Sequence, residues 1–139
     1  MAILYDKGLF KYEDKIAKHW PEFSQNGKEN VKICDVLRHE AGLAYFQKDC
    51  PSLDDLKTDN IKLNKVSDII EKEELHFPEY EKSDSKREYH SFTRGFILNE
   101  IVRRIDTHVS SFFDKINIFV YSCLIFLMIC TKFSISSNG

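Results

Sequence analysis

Tyr89, His90 and Ser91 stand side by side in the stretch REYHSFTRGFILNEIVRRID, which runs from Arg87 to Asp106. A phenol, an imidazole and a hydroxyl can together pass a proton or attack an acyl carbon, provided that each meets a suited partner at hydrogen-bond distance. Behind them Phe92, Phe96, Ile97, Ile101, Val102 and Ile105 recur at three- and four-residue steps. That period predicts an amphipathic helix with the triplet at its mouth, where free N–H groups and the positive dipole end collect; His90 reads as a helix-start side chain. Arg94, Asn99, Glu100, Arg103 and Arg104 are expected on the other face, the last two arginines capping the C-terminus. Gly95 inside the helix is about 1 kcal/mol poorer than alanine, which predicts a close approach of another group there.

Other residues of chemical interest are sparse. The only Ser-x-x-Lys spacing is Ser83-Asp84-Ser85-Lys86, in a polar stretch that reads as a solvated loop. His39-Glu40 resembles the start of a zinc-binding His-Glu-x-x-His, but Leu43 stands where the second histidine is needed. His39 is therefore expected to be structural, and no metal or other cofactor is expected. Cys34, Cys50, Cys123 and Cys130 form no Cys-x-x-Cys pair and no regular framework, so reduced thiols are the expectation and Cys34 reads as a small buried hydrophobe. Trp20-Pro21 reads as a packing element.

Several further elements must position these residues. Ile3, Leu4, Tyr5 and Leu9 with Gly8 suit the last turns of a helix closing on a left-handed glycine. Tyr12, Ile16, Trp20 and Phe23 recur at helical spacing until Pro21 breaks the run. In ENVKICDVLRHEAGL, Asn30 is expected to cap a helix with Val36 and Leu37 inward, and Gly42 to stop it. Val66, Ile69 and Ile70 alternate with charges in a predicted helix from about Val66 to Glu74.

The chain has 139 residues, 30% charged and 42% apolar, with a formal net charge of -2. That is a globular composition and offers no support for nucleic acid as a partner. From Asp49 to Glu81 ten acids face four lysines, marking solvated surface. No basic-then-apolar leader precedes Asp6 and Lys7, so an intracellular chain is expected, although the compartment itself is unreadable. Sixteen residues without a charge, Ile116 to Thr131, lie between Lys115 and Lys132. As a helix this run would be about 24 Å long, short of the roughly 30 Å hydrocarbon core, so an anchor and an apolar soluble tail both remain open.

Three stretches together resemble the serine β-lactamase and penicillin-binding-protein-like hydrolases, in the class C-related branch with eukaryotic β-lactamase-like proteins. LYDKGLFKYEDKIAKHWPEF is similar to the family's run ending in a GxLxLDDxVxxYxPEF-type segment. GKENVKICDVLRHEAGL resembles GKxxITVRDLLTHTSGL, with Leu37, His39, Gly42 and Leu43 in matching places. YHSFTRGFILNEIVRRID matches a Tyr-x-Asn triplet followed by a glycine-containing helix, with Ser91 where the family has asparagine. The matches span about Leu4 to Phe113.

The resemblance implies acyl transfer on an amide or ester by a Ser-x-x-Lys nucleophile, with Tyr89 as the family's general base or proton relay. The family's Ser-x-x-Lys would precede the first matched helix, and its Lys-Thr-Gly or His-x-Gly would follow the third stretch; neither occurs in those places. The expected fold is thus a mainly α fragment of the α+β β-lactamase/transpeptidase-like fold, with an apolar, helical C-terminal tail. Residues 1–115 would be the partial domain, 116–133 the apolar tail or transmembrane segment, and 134–139 a polar terminus. The expectation is a catalytically inactive partial domain; the alternative is a non-catalytic membrane-anchored or interaction protein. Its expected partners are a membrane, through residues 116–133, and a full-length relative, with no small-molecule substrate for this chain.

Overall fold

The computed structural model describes residues 1–52, 54–55, 57, 59–60, 65–76, 87–91 and 93–106. The first helix, α1 (Ala2–Asp6), ends as the glycine signal predicts. Gly8 lies at φ +69°, its N–H bonds the Tyr5 carbonyl at 2.8 Å, and the Leu9 N–H bonds the Leu4 carbonyl at 3.1 Å. These two bonds satisfy carbonyls that the helix end would otherwise leave bare.

Helix α2 (Ile16–His19) stops at Trp20, and Pro21 opens a 3-10 turn over Pro21–Ser24. Proline suits a first helical position because its missing N–H is one the helix cannot use there. Asp14 precedes α2 and accepts from the Lys11 N–H and from Lys18 Nζ, each at 2.9 Å. The segments before α2 and α3 run together briefly: Ile16 N–H bonds the Val31 carbonyl at 2.9 Å and Ile33 N–H bonds the Asp14 carbonyl at 3.1 Å. This pairing is an isolated antiparallel bridge between Lys15 and Lys32. No strand occurs among the described residues, which agrees with the helical portion of the expected fold.

Helix α3 (Ile33–Leu37) departs from the expected caps at both ends. Asn30 does not cap it; its Oδ1 accepts from Lys15 Nζ at 2.8 Å. Asp35 instead reaches back to the Lys32 N–H at 2.8 Å, placing a carboxylate on the positive end of the helix. At the far end the chain turns at His39, before Gly42 is reached. Val36 is buried as expected, whereas Leu37 is only half-buried.

Helices α4 (Lys65–Lys72) and α5 (Thr93–Ile105) supply the rest of the core. Val66 and Ile70 of α4 and Ile97 and Ile101 of α5 are buried with Ile16, Trp20, Phe23, Ile33 and Val36. Burying each such side chain stabilises by about 1.5–3 kcal/mol relative to exposure.

Glu100, expected on the polar face of α5, is buried. Arg103 and Arg104 grip it from the same helix, at 2.7 and 2.5 Å. Burial works to raise the Glu100 pKa, but the two guanidiniums hold it below the usual carboxylate value. Arg104 also reaches Glu22 at 2.7 Å and lies over the Trp20 ring, 5.2 Å from its centroid. The two arginines thus clamp side chains, which is a more specific role than helix capping. Trp20 is also held by its Nε1–H, which donates to Glu71 at 2.7 Å.

The expected close approach at Gly95 is absent: among the described residues no atom lies within 4 Å of where a Cβ would stand. Ser83 to Lys86, Cys123, Cys130 and the 116–133 and 134–139 segments lie outside the described residues. Among the described residues no helix is long and apolar enough to cross a membrane.

Candidate functional site

The end of α3 creates the problem that this site solves. His39 adopts φ +65°, a left-handed conformation uncommon for a residue with a Cβ. Its N–H bonds the Val36 carbonyl at 3.2 Å and the following Glu40 N–H bonds the Asp35 carbonyl at 2.7 Å. This is the same closure that Gly8 makes on α1, with a histidine in the glycine position. The backbone then runs inward, and Ala41, Gly42, Leu43 and Ala44 are all buried.

A buried turn must find partners for its peptide groups away from water. The segment before α5 and the first residue of that helix supply most of them. Leu43 N–H donates to His90 Nε2 at 3.2 Å, and the Thr93 hydroxyl donates to the Leu43 carbonyl. Glu88 N–H donates to the His39 carbonyl at 3.1 Å, and His76 N–H donates to the Gly42 carbonyl at 2.9 Å. His90 N–H in turn donates to His39 Nδ1 at 3.0 Å.

These bonds settle where the ring protons sit. His90 Nε2 accepts, so its proton is on Nδ1, which donates to the Glu88 carbonyl at 2.6 Å. His39 Nδ1 accepts, so its proton is on Nε2. Desolvation lowers both imidazole pKa values, aided at His39 by the positive charges of Arg94 and Arg87 and at His90 by His39 and His76; the His90 bond to Glu88 works the other way.

The predicted triplet is therefore divided by the fold. His90 is not a helix-start group; it is buried and turned to the Leu43 backbone. Tyr89 is 72% exposed, its ring lying 4.7 Å from that of His39. Ser91 is half-buried, with its N–H returned to the Tyr89 carbonyl at 3.0 Å. Tyr89 and His90 both lie against the His39 ring, at 4.7 and 5.6 Å, the first exposed and the second buried.

His39 and Glu40 have separate duties. Glu40 pairs with Arg87 at 2.6 Å, which ties the same two segments together at the surface. Among the described residues no group of three His, Cys, Asp or Glu side chains is placed to hold a metal. Burial and the neighbouring Asp35 charge push the Cys34 thiol pKa up, which makes it a poor nucleophile.

Sequence reasoning did not reach Thr93 and His76 as members of this cluster. The spacing of His90 and Thr93 puts both near the start of α5, but their target, a peptide group about fifty positions earlier, has no local signature. His76 lies with its ring tilted against Tyr45, 4.0 Å between centroids, and meets Glu88 at 3.1 Å, again through contacts remote in sequence.

The family model described as Beta-lactamase matches residues 1–115. The chain is 29% identical over 102 residues to "Esterase/beta-lactamase LipL" of Mycobacterium tuberculosis, covering 73% of this chain and 21% of that protein. It thus spans about a fifth of the length of that curated relative. No solved structure matches.

Proposed function

Because this chain belongs to the beta-lactamase family, matched over residues 1–115, we propose that it carries the helical part of a serine hydrolase domain with Tyr89 in the position of the family's proton-relaying tyrosine. We propose also that the 139-residue chain alone does not transfer acyl groups. The observation that carries this reading is the setting of Tyr89. It is well exposed on the segment before α5, with its ring against His39, yet no hydrogen bond to its hydroxyl is made among the described residues. A proton relay needs a partner within about 3 Å. The sequence offers one Ser-x-x-Lys, Ser83 to Lys86, three positions ahead of Tyr89, and neither Lys-Thr-Gly nor His-x-Gly.

For a parent domain carrying those motifs, the substrate would be an ester or a β-lactam amide, with Tyr89 moving a proton during acylation. That assignment is supported by the family and by the printed name of the relative, which is an esterase/beta-lactamase. The test is labelling of the purified chain with a fluorophosphonate and with a fluorescent penicillin, followed by mass spectrometry. No acyl adduct is expected; a stoichiometric adduct on Ser83 would overturn the proposal.

A second reading rests on the uncharged run from Ile116 to Thr131. In it the chain is a membrane-tethered, non-catalytic protein. Alkaline extraction of membranes separates the two: retention in the pellet supports the tether, and release removes it.

A further inference from the structure

Two imidazoles in this molecule are held by bonds that only their neutral forms can make. His90 Nε2 accepts the Leu43 N–H at 3.2 Å, and His39 Nδ1 accepts the His90 N–H at 3.0 Å. Protonation of either ring would place an N–H against a backbone N–H, turning an attraction into a repulsion inside a buried turn. The bonds run in series, from Leu43 through the His90 ring and backbone to His39, so the loss of one loosens the support of the other. Tyr89 lies between the two histidines in sequence and rests against the His39 ring.

We propose that His39 and His90 form an acid-labile clasp that fastens the Tyr89 segment to the turn after α3 and releases it when either imidazole takes up a proton. The proposal concerns the position of Tyr89 and stands whether or not Tyr89 takes part in catalysis.

The charged surroundings favour such a response. Arg94 of α5 and Arg87 of the Tyr89 segment both disfavour charge on His39, although Arg87 is partly engaged by Glu40 of the turn. Around His90, burial is the largest influence, and His39 and His76 also oppose charging. The Glu88 carboxylate and carbonyl pull the other way. His76 faces the same region, its Nδ1 lying 3.1 Å from the Glu88 carboxylate.

Both histidines have folded pKa values below the ordinary 6.5. The released state therefore binds more protons than the clasped state between the lowered folded pKa values and about 6.5, and release becomes easier as the pH falls through that interval, by up to about tenfold per pH unit for each proton.

The experiment uses the full chain labelled with nitrogen-15. Long-range proton–nitrogen spectra near neutral pH should show His90 protonated on Nδ1 and His39 on Nε2; the reverse tautomer on either ring would overturn the proposal. Amide exchange followed from pH 7.5 to 5 should show the protection of Leu43 and His90 falling as the pH drops below 6.5, by up to about tenfold per pH unit for each proton taken up. The Trp20 amide, bonded to the Ile16 carbonyl at 2.8 Å, should keep its protection. Parallel loss at Trp20 would mean global unfolding and would sink the idea of a local clasp.

The double variant His39→Asn with His90→Gln keeps an acceptor at each position and removes both titrating groups. Asparagine also tolerates the left-handed backbone better than most residues. In this variant the acid-dependent loss of Leu43 protection should disappear, and its persistence at the same pH would overturn the proposal. Should that variant fail to fold, the tautomer and exchange measurements on the natural chain still decide.

Discussion

Leu43 and His90, 47 positions apart, are joined by a hydrogen bond from the Leu43 N–H to His90 Nε2 at 3.2 Å, in a part of the molecule that water does not reach. The bond fixes a turn, a tautomer and the placement of the neighbouring Tyr89 at once. It also explains why a histidine is used here: the ring accepts from one peptide and donates to another, the Glu88 carbonyl, across a rigid plane.

Replacing His90 tests that account directly. His90→Ala leaves the Leu43 N–H buried without a partner and should lower stability by about 1–3 kcal/mol, read from urea unfolding midpoints. His90→Gln, whose side-chain oxygen can reach a similar place, should recover a large part of the loss. Equal destabilisation by both variants would show that ring packing, and not the hydrogen bond, is what matters.

Gly95 lies in a helix interior with open space around it among the described residues. Gly95→Ala should therefore stabilise the protein by up to about 1 kcal/mol. Thermal unfolding followed by circular dichroism measures this, and a destabilised variant would reveal a neighbour at that face of α5.

Arg104 connects Glu100, Glu22 and the face of Trp20. Lysine cannot reproduce this planar fork and stack, so Arg104→Lys should cost about 1–3 kcal/mol. A double-mutant cycle with Glu100→Gln should show strong coupling, because the two groups share one buried contact. Additive effects would place the loss in the contacts of Arg104 with Glu22 and Trp20.

Lys28 is buried, and its ammonium donates to the Glu71 carbonyl at 3.0 Å and to the Glu73 carbonyl at the end of α4. Desolvation pulls its pKa from 10.5 down to about 8, against the attraction of Glu73. Below pH 8 the lysine is charged in both folded and unfolded chains; between about 8 and 10.5 the unfolded chain holds the extra proton. Stability from this group therefore rises with pH across that window. The difference in unfolding free energy between wild type and Lys28→Met, followed from pH 7.5 to 10.5, should show this rise, and a flat difference would refute the shifted lysine.

Much of the helical framework was determined by local residue types. The recurrence of Ile97 and Ile101, the break at Pro21 and the left-handed Gly8 each act through the backbone or one face of one helix, so sequence alone identified them. The three matched stretches around Trp20-Pro21, His39 and Tyr89 also sufficed for the family. The tertiary structure decided which polar groups are inside. Nothing near Glu100 in sequence shows that its carboxylate is buried beneath Arg103 and Arg104, and Gly42 was a better local guess than His39 for the residue that turns the chain. His39 holds that place through bonds to Glu88 and His90 about fifty positions away, and the proton positions of both imidazoles follow from those partners. Spacing can nominate a side chain, but its charge and direction are set by whichever distant peptide group must be satisfied when water is excluded.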